Sequence, residues 1–336
     1  MNIRNMRATD LDFAAACTAT EGWRTETRSE FEGVLEYDSA GAFVAERAGK
    51  RIGICAAVSY GRHGFVGELI VLPDERGKGV GGSLMGNALD HLAARGAESV
   101  LLDAVPAAAP LYERMGFRHI CASLRFDMPA SQIPQPAPGP ASEATSLDGG
   151  LSLSQPRDAP SHDARPPAVP ARQPAAHHVR LMRAEDLAAV CALDRDAFGA
   201  DRSFFLTRRL RLYPDLCVIL ETRNRLDGFI QGRRGEGVVS AGPWIMRGSE
   251  EPAGPRIAPE PETPAGVLLA AWMDRARAAD WGLALGVLAS NPAAAQVARH
   301  AGFAERSSSS LRMVRGEDAS LGASPLAYAI GSAAKG

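Results

Sequence analysis

Cysteine, aromatic residues, long apolar runs and net charge are all scarce in this chain, and each scarcity removes a class of protein. The five cysteines, Cys17, Cys55, Cys121, Cys191 and Cys217, are scattered without a Cys-x-x-Cys pair. They read as reduced core thiols, so neither a disulfide framework nor a metal site is expected. No apolar run approaches the roughly 18 residues that a membrane span needs. The start Met1-Asn2-Ile3-Arg4 carries no apolar signal stretch, and the expected compartment is the cytoplasm. Lys and Arg total 37 against 39 Asp and Glu, a formal net charge of −2, which lacks the basic excess of a nucleic-acid binder. The second half is locally rich in arginine (Arg202, Arg208, Arg209, Arg211, Arg233, Arg234). Such a cluster reads first as a solvated face, with capture of an anionic acceptor group as the alternative.

What is present is a duplicated globular pattern around a proline-rich break. Residues 129–176 hold eleven prolines with Ala, Ser and Gln and no aromatic residue. Such a segment buries too little apolar surface to offset chain entropy, so it reads as a linker, with His177-His178 at its end as linker residues. On either side the chain repeats itself. Arg4-Asn5-Met6-Arg7-Ala8-Thr9-Asp10-Leu11 matches Arg180-Leu181-Met182-Arg183-Ala184-Glu185-Asp186-Leu187. Pro106-Ala107-Ala108-Ala109 before Gly116-Phe117 matches Pro292-Ala293-Ala294-Ala295 before Gly302-Phe303. The division is therefore 1–128, linker 129–176 and 177–336. In the first copy, periodicity predicts strands near 3–6, 42–47, 51–60, 65–72, 98–104 and 117–128, and helices near 10–20, 28–37, 80–95 and 107–115. That order gives an α/β (α+β) fold, a mixed and mostly antiparallel sheet with helices on both faces, once per copy.

The run Arg76-Gly77-Lys78-Gly79-Val80-Gly81, with Gly82 following, joins a strand-like stretch to a helical one. Glycines there let successive backbone N–H groups converge on an anion, and the helix start adds unpaired donors and a positive dipole end. The spacing is too tight for a Walker A loop or a dinucleotide fingerprint.

Arg76, Gly79 and Gly81 stand at the positions of Arg/Gln-x-x-Gly-x-Gly/Ala, and Val71-Leu72-Pro73 and Leu111-Tyr112-Glu113-Arg114-Met115-Gly116-Phe117 flank them. In these motifs the chain resembles the GNAT superfamily of N-acetyltransferases, and Glu21-Gly22-Trp23 with the ending Tyr328 to Gly336 resemble a bacterial branch that carries a second GNAT-like domain. The resemblance implies acetyl-coenzyme A as cosubstrate, its pyrophosphate on residues 76–82 and its pantetheine arm in the gap between the strands near 65–72 and 100–105. It also implies that the Val71 N–H serves the thioester carbonyl as an oxyanion donor, and that Tyr112 protonates the departing thiolate, which is reasonable for a phenol near its ordinary value of about 10. Glu68 is the candidate general base, acting directly or through water, against an exposed strand carboxylate as its plain reading. Glu21 and Trp23 fall in the segment that caps the acceptor side, or in an ordinary surface loop.

Aligned on the repeat, the second copy has Glu260-Pro261-Glu262-Thr263-Pro264-Ala265 where the first has its glycine run, and Ala298 in place of Tyr112. Prolines remove donors and carboxylates repel phosphate, so the second copy is expected to bind no coenzyme A in the usual way. Roles left to it are walling the acceptor site, forming a homodimer, or presenting its arginines. The first copy, 1–128, is expected to keep acetyl-coenzyme A affinity alone. The leading function is an N-acetyltransferase acting on a primary amine of a small molecule by direct attack. The alternatives are a non-enzymatic acyl-coenzyme A sensor and a small-molecule synthase of the tandem-GNAT kind.

Overall fold

The computed structural model describes residues 1–134, 177–248, 263–277, 281–332 and 335–336. The first half runs β1 (Asn2–Asn5), α1 (Leu11–Thr20), α2 (Arg28–Asp38), β2 (Ala42–Arg47), β3 (Lys50–Tyr60), β4 (His63–Val71), α3 (Val80–Ala94), β5 (Ser99–Ala104), α4 (Ala109–Arg114) and β6 (Arg118–Met128). The second repeats that order as β7 (His177–Leu181), α5 (Leu187–Phe198), α6 (Ser203–Leu212), β8 (Cys217–Thr222), β9 (Arg225–Arg234), β10 (Val238–Met246), α7 (Pro264–Ala276), β11 (Gly282–Leu288), α8 (Pro292–His300), β12 (Ala304–Glu305) and β13 (Ser310–Arg315), and then adds β14 (Ala327–Ala329). Two copies of a mixed, mostly antiparallel α/β fold are present, and the first-half boundaries follow the sequence pattern closely.

The repeated motif has the same physical task in both copies. Arg4 donates to Asp10 at 2.7 and 3.0 Å and to Glu46, while Asp10 also accepts the Arg7 N–H at 2.8 Å. Arg180 does the same with Asp186, at 2.7 and 2.8 Å, and with Glu221, and Asp186 accepts the Arg183 N–H at 2.7 Å. Each network pins the first strand to the start of the first helix through charge-assisted bonds.

The copies are not two separate sheets. Among the described residues the strand order is β1-β2-β3-β4-β5-β13-β6-β11-β10-β9-β8-β7, with β12 on β6 and β14 on β10. β13, from the second half, lies between β5 and β6, and β6, from the first half, lies between β13 and β11. Each half therefore completes its sheet with a strand of the other. Buried ion pairs mark this junction: Asp103 on β5 accepts from Arg312 on β13 at 2.5 Å and from Arg125 on β6 at 3.1 Å.

The proline-rich segment lies outside the described residues from 135 onward. Its first residues differ from the expectation. Ala130–Gln132 form a 3-10 turn, and Ile133 packs into the core of the second half with Leu283, Trp272 and Phe303. His177 and His178 are not linker residues, because they open β7 and pair with Thr222 and Glu221. No helix among the described residues is long and apolar enough to cross a membrane.

Candidate active site

β4 and β5 pair in parallel only over His63–Phe65 and Ser99–Leu101, and then part. The parting has a local cause in β4. Glu68 sits at φ +54°, in the left-handed region that a β-carbon disfavours, and the β3–β4 register slips between Ile54 and Ala56. The bulge turns the strand and carries Glu68 inward, so that only 4% of it is exposed. The gap opens into a cavity of about 660 Å³ lined by Leu69, Val71, Leu102 and Tyr112, and on the far side by second-half residues including Arg233, Ser240, Gly286, Arg306 and Ser332.

At the end of β4 the chain makes a 3-10 turn, Pro73–Glu75, and enters the glycine run. Gly77 and Gly79 adopt φ +73° and +79°, which only glycine takes without strain, and a β-carbon at either would meet open space. Gly79 is the N-cap of α3 and offers no side chain to it, so the first-turn N–H groups of Val80, Gly81 and Gly82 are uncapped. These features fit a pyrophosphate: a concave backbone with free donors at the positive end of a 15-residue helix. Arg76 donates to the Val71 carbonyl at 2.9 Å and to Glu21 at 2.5 Å, bracing the end of β4 with its guanidinium half exposed. Lys78 is exposed, 3.5 Å from Glu75. α4 closes on the same point: a β-carbon on Gly81 would stand 3.5 Å from Leu111 and 3.7 Å from Val71.

Tyr112 lines the cavity from α4 and meets Phe117 edge to face at 6.0 Å. Its phenol is not at the ordinary value assumed from sequence. Burial pushes it up, so Tyr112 holds its proton at neutral pH and releases it less readily. Glu21 and Trp23 also line the cavity, and Trp23 packs on the core beneath α1 rather than forming a free loop. Glu68 is not an exposed strand carboxylate. Burial, and then the neighbouring Glu26 charge, raise its carboxyl well above the usual range.

Most of the arginine cluster is not a solvated face but is bonded inside the protein, while Arg211 stays largely exposed and Arg233 also lines the cavity. Arg202 forks onto Asp194 with two bonds of 2.8 Å, Arg208 binds Glu36 and the Ser29 carbonyl, Arg209 binds the Gly242 carbonyl, and Arg233 binds Glu26 at 2.5 Å and Glu30 at 3.0 Å. Arg208 and Arg233 cross from the second half to the first, so these bonds join the halves.

Sequence reasoning missed Glu26, Lys335 and the Asp103–Arg312–Arg125 group, and it named Arg233 only as one of the arginine cluster. Three of them carried a readable sign, a charge inside an apolar strand: Arg233 after Phe229-Ile230, Arg312 between Leu311 and Met313, and Asp103 after Leu101-Leu102.

The second half answers each element of this site differently. α7 is capped: Thr263 Oγ1 accepts the Gly266 N–H at 3.1 Å and Pro264 occupies the first helical position. Glu260, Pro261 and Glu262 lie outside the described residues. The gap between β10 and β11 is filled by the chain itself. β10 and β11 pair over Val238–Ala241, and beyond that β14 sits on β10 through Trp244–Ala329 and Ile245–Ala327, while the Ile330 N–H donates to Gly286 of β11 at 2.9 Å.

Comparisons with known proteins identify the family and the fold. Residues 8–117 match the acetyltransferase (GNAT) family, and residues 190–329 match a further acetyltransferase (GNAT) domain. Over 91 residues, 24% of this chain, the sequence is 42% identical to mycothiol acetyltransferase of Thermobispora bispora, and the match spans 31% of that relative's length. A crystal structure from Pyrococcus horikoshii shares the fold with a TM-score of 0.68 at 18% identity, over 100% of this chain and 95% of that one. A tandem GNAT protein from the clavulanic acid biosynthesis pathway does so with a TM-score of 0.59 at 16% identity, over 94% of this chain and 99% of that one. With a GNAT domain matched in each half and the splayed strands and uncapped helix start in the first, the chain belongs to the tandem GNAT acetyltransferases.

Proposed function

We propose that the protein moves an acetyl group from acetyl-coenzyme A to a primary amine of a small molecule, by direct attack and without a covalent enzyme intermediate. The observation that carries this reading is one continuous cavity. It runs from Arg76, at the edge of the glycine run, and the β4–β5 gap, past Tyr112 and Glu68, to a wall built by the second half. Bound acetyl-coenzyme A supplies the activated acyl group. The N–H groups of residues 77–82 hold its pyrophosphate, with Arg76 and Lys78 nearby as exposed cations. The Val71 N–H stabilises negative charge on the thioester oxygen. Glu68 takes the acceptor amine's proton, and its raised basicity suits that task once it is ionised. Tyr112, kept protonated by burial, gives its proton to the thiolate as the carbon–sulfur bond breaks. Glu21 and Trp23 face the acceptor. Five free thiols fit a reducing cytoplasm. The likeness to mycothiol acetyltransferase supports a small acceptor.

The test has two steps. Acetyl-coenzyme A should raise the melting temperature of the full chain, and thiol release should then appear with members of a panel of primary amines. Stabilisation without thiol release from any amine would replace this reading with an acyl-coenzyme A sensor.

A further inference from the structure

Two carboxyl groups from different elements line the cavity and lie within hydrogen-bond reach of each other. Glu68 comes from the β4 bulge and Glu26 from the turn that precedes α2, and both are almost wholly buried. Glu26 Oε2 and Glu68 Oε2 are each buried without a hydrogen bond among the described residues, although the Lys335 ammonium stands 3.5 Å from Glu26 Oε2. Two buried acceptors without hydrogen bonds are costly, and a single proton held between them removes the deficit, because one carboxyl then donates to the other.

The groups around the pair decide which carboxyl keeps that proton. On Glu26, Arg233 of β9 donates at 2.5 Å, Ser332 at 3.1 Å, and the Lys335 ammonium stands at 3.5 Å. Glu30 of α2 takes up Arg233 at 3.0 Å, Lys335 at 2.9 Å and Arg209 of α6 at 3.6 Å. The Cys55 thiol of β3 feels the charge of Glu68. The cations therefore gather on the Glu26 side, and every cation but Arg209 in this group touches Glu26 directly. All three come from the second half. The charges of Lys335 and Arg233 also oppose the rise that burial and Glu26 impose on Glu68, which favours its ionised form.

We propose that Glu26 is a positioning residue that shares one proton with Glu68, and that the second half, through Arg233 and Lys335, holds Glu26 as the ionised partner so that Glu68 is the carboxyl that gains and loses the proton. This deepens, and rests on, the reading of Glu68 as the base. The reaction starts from the doubly ionised pair. The acceptor nitrogen forms its bond to the acyl carbon, the carbon–sulfur bond breaks, the nitrogen's proton passes to Glu68, and the pair ends with one proton, which solvent later removes. The ionised Glu26 makes Glu68 a stronger base than an isolated carboxylate. Burial and the Glu30 charge work against ionisation of Glu26, but Arg233 and Lys335, helped by the hydrogen bond from Glu68, bring it down to about 2, while Glu68 is raised by burial and by Glu26.

The test needs no acceptor. Carbon-13 NMR of glutamate carboxyls in the full chain should show a coupled, two-step titration, with Glu68, assigned by its loss in Glu68→Gln, above the ordinary glutamate range. In Glu26→Gln the Glu68 step should fall by about one pH unit or more. Glu26→Asp, which keeps the charge on a shorter stem, should give an intermediate value if the amide variant folds poorly. Arg233→Met should raise the Glu26 step, and Arg233→Lys should restore it. Independent one-step curves in the wild type, or a Glu68 step that ignores Glu26, would overturn the shared proton. The base assignment is read separately. The acid limb of kcat/KM should follow the Glu68 step, and a limb that persists in Glu68→Gln would overturn the base and the tuning role even with the proton-sharing pair intact.

Discussion

The β4–α3 unit and the β10–α7 unit have the same order of elements and opposite contents. In the first, the strands part over a cavity and the helix begins on an uncapped glycine. In the second, β14 fills the gap and Thr263 with Pro264 satisfies the helix start. Meanwhile the Arg4–Asp10–Glu46 network and the Arg180–Asp186–Glu221 network are alike almost bond for bond. Frame interactions and ligand interactions have separated: the frame is kept in both copies, and the unsatisfied backbone that a ligand needs is kept in one. A segment that pairs with β10 in place of a cofactor arm also explains why the second half walls the cavity instead of opening its own.

The comparison breaks most completely if the halves are forced apart. A chain ending at residue 128 leaves β5 without β13, and β6 without either neighbour, so it should lose its cooperative fold and aggregate instead of keeping acetyl-coenzyme A affinity. A monomeric fragment with a sharp thermal transition and cofactor binding would show that the exchange is dispensable. Next, Gly79→Pro should abolish acetyl-coenzyme A binding by calorimetry, because proline cannot take φ +79°. Binding at wild-type affinity would remove the glycine run from the cofactor site. Tyr112→Phe should leave that affinity unchanged and lower kcat by about 10²–10⁴, and an unaltered kcat would make Tyr112 a packing residue.

The frame gives smaller, matched effects. Asp10 and Asp186 are held below the ordinary aspartate value, chiefly by bonds from Arg4 and Arg180. Such pairs stabilise above the unfolded aspartate value of about 3.9 and lose that contribution as pH falls through the lower folded value. Asp10→Asn and Asp186→Asn should each cost about 1.5–3 kcal/mol at pH 7 and converge with wild type in acid, as read from urea unfolding. Unequal losses would mean that the two networks are not equivalent. Smallest of all, Thr263→Ala should cost about 1 kcal/mol and create no second cofactor site, which equilibrium dialysis at two-site resolution would check.

How much of this was legible in the sequence follows from what each feature depends on. The frame motif, the strand and helix pattern and the glycine run are local: Arg4 meets Asp10 six residues away, and Gly79 acts through its own backbone. The cavity's far wall and the cations on Glu26 are not, since Arg233 reaches Glu26 across 207 residues and Ser332 across 306. Proline and carboxylates in the second copy pointed to a lost cradle, but nothing periodic in Ala327–Ile330 announced a strand that fills the gap. The arginines misled for a related reason. A local richness in arginine reads as a solvated face, and only partners such as Glu26, Glu30 and Glu36 in the other half show that Arg208 and Arg233 are covered.

The crossing of β6 and β13 has a consequence for how the molecule is made. Arg312 meets Asp103 from 209 residues further along the chain, so the first sheet cannot close while only its own half has left the ribosome. During synthesis β5 and β6 wait with bare edges through the whole proline-rich segment and most of the second copy. Contacts of such long range are slow to form, and unpaired edges are the sites at which nascent chains associate wrongly. The joint sheet is therefore expected to close late, once the second half has been made.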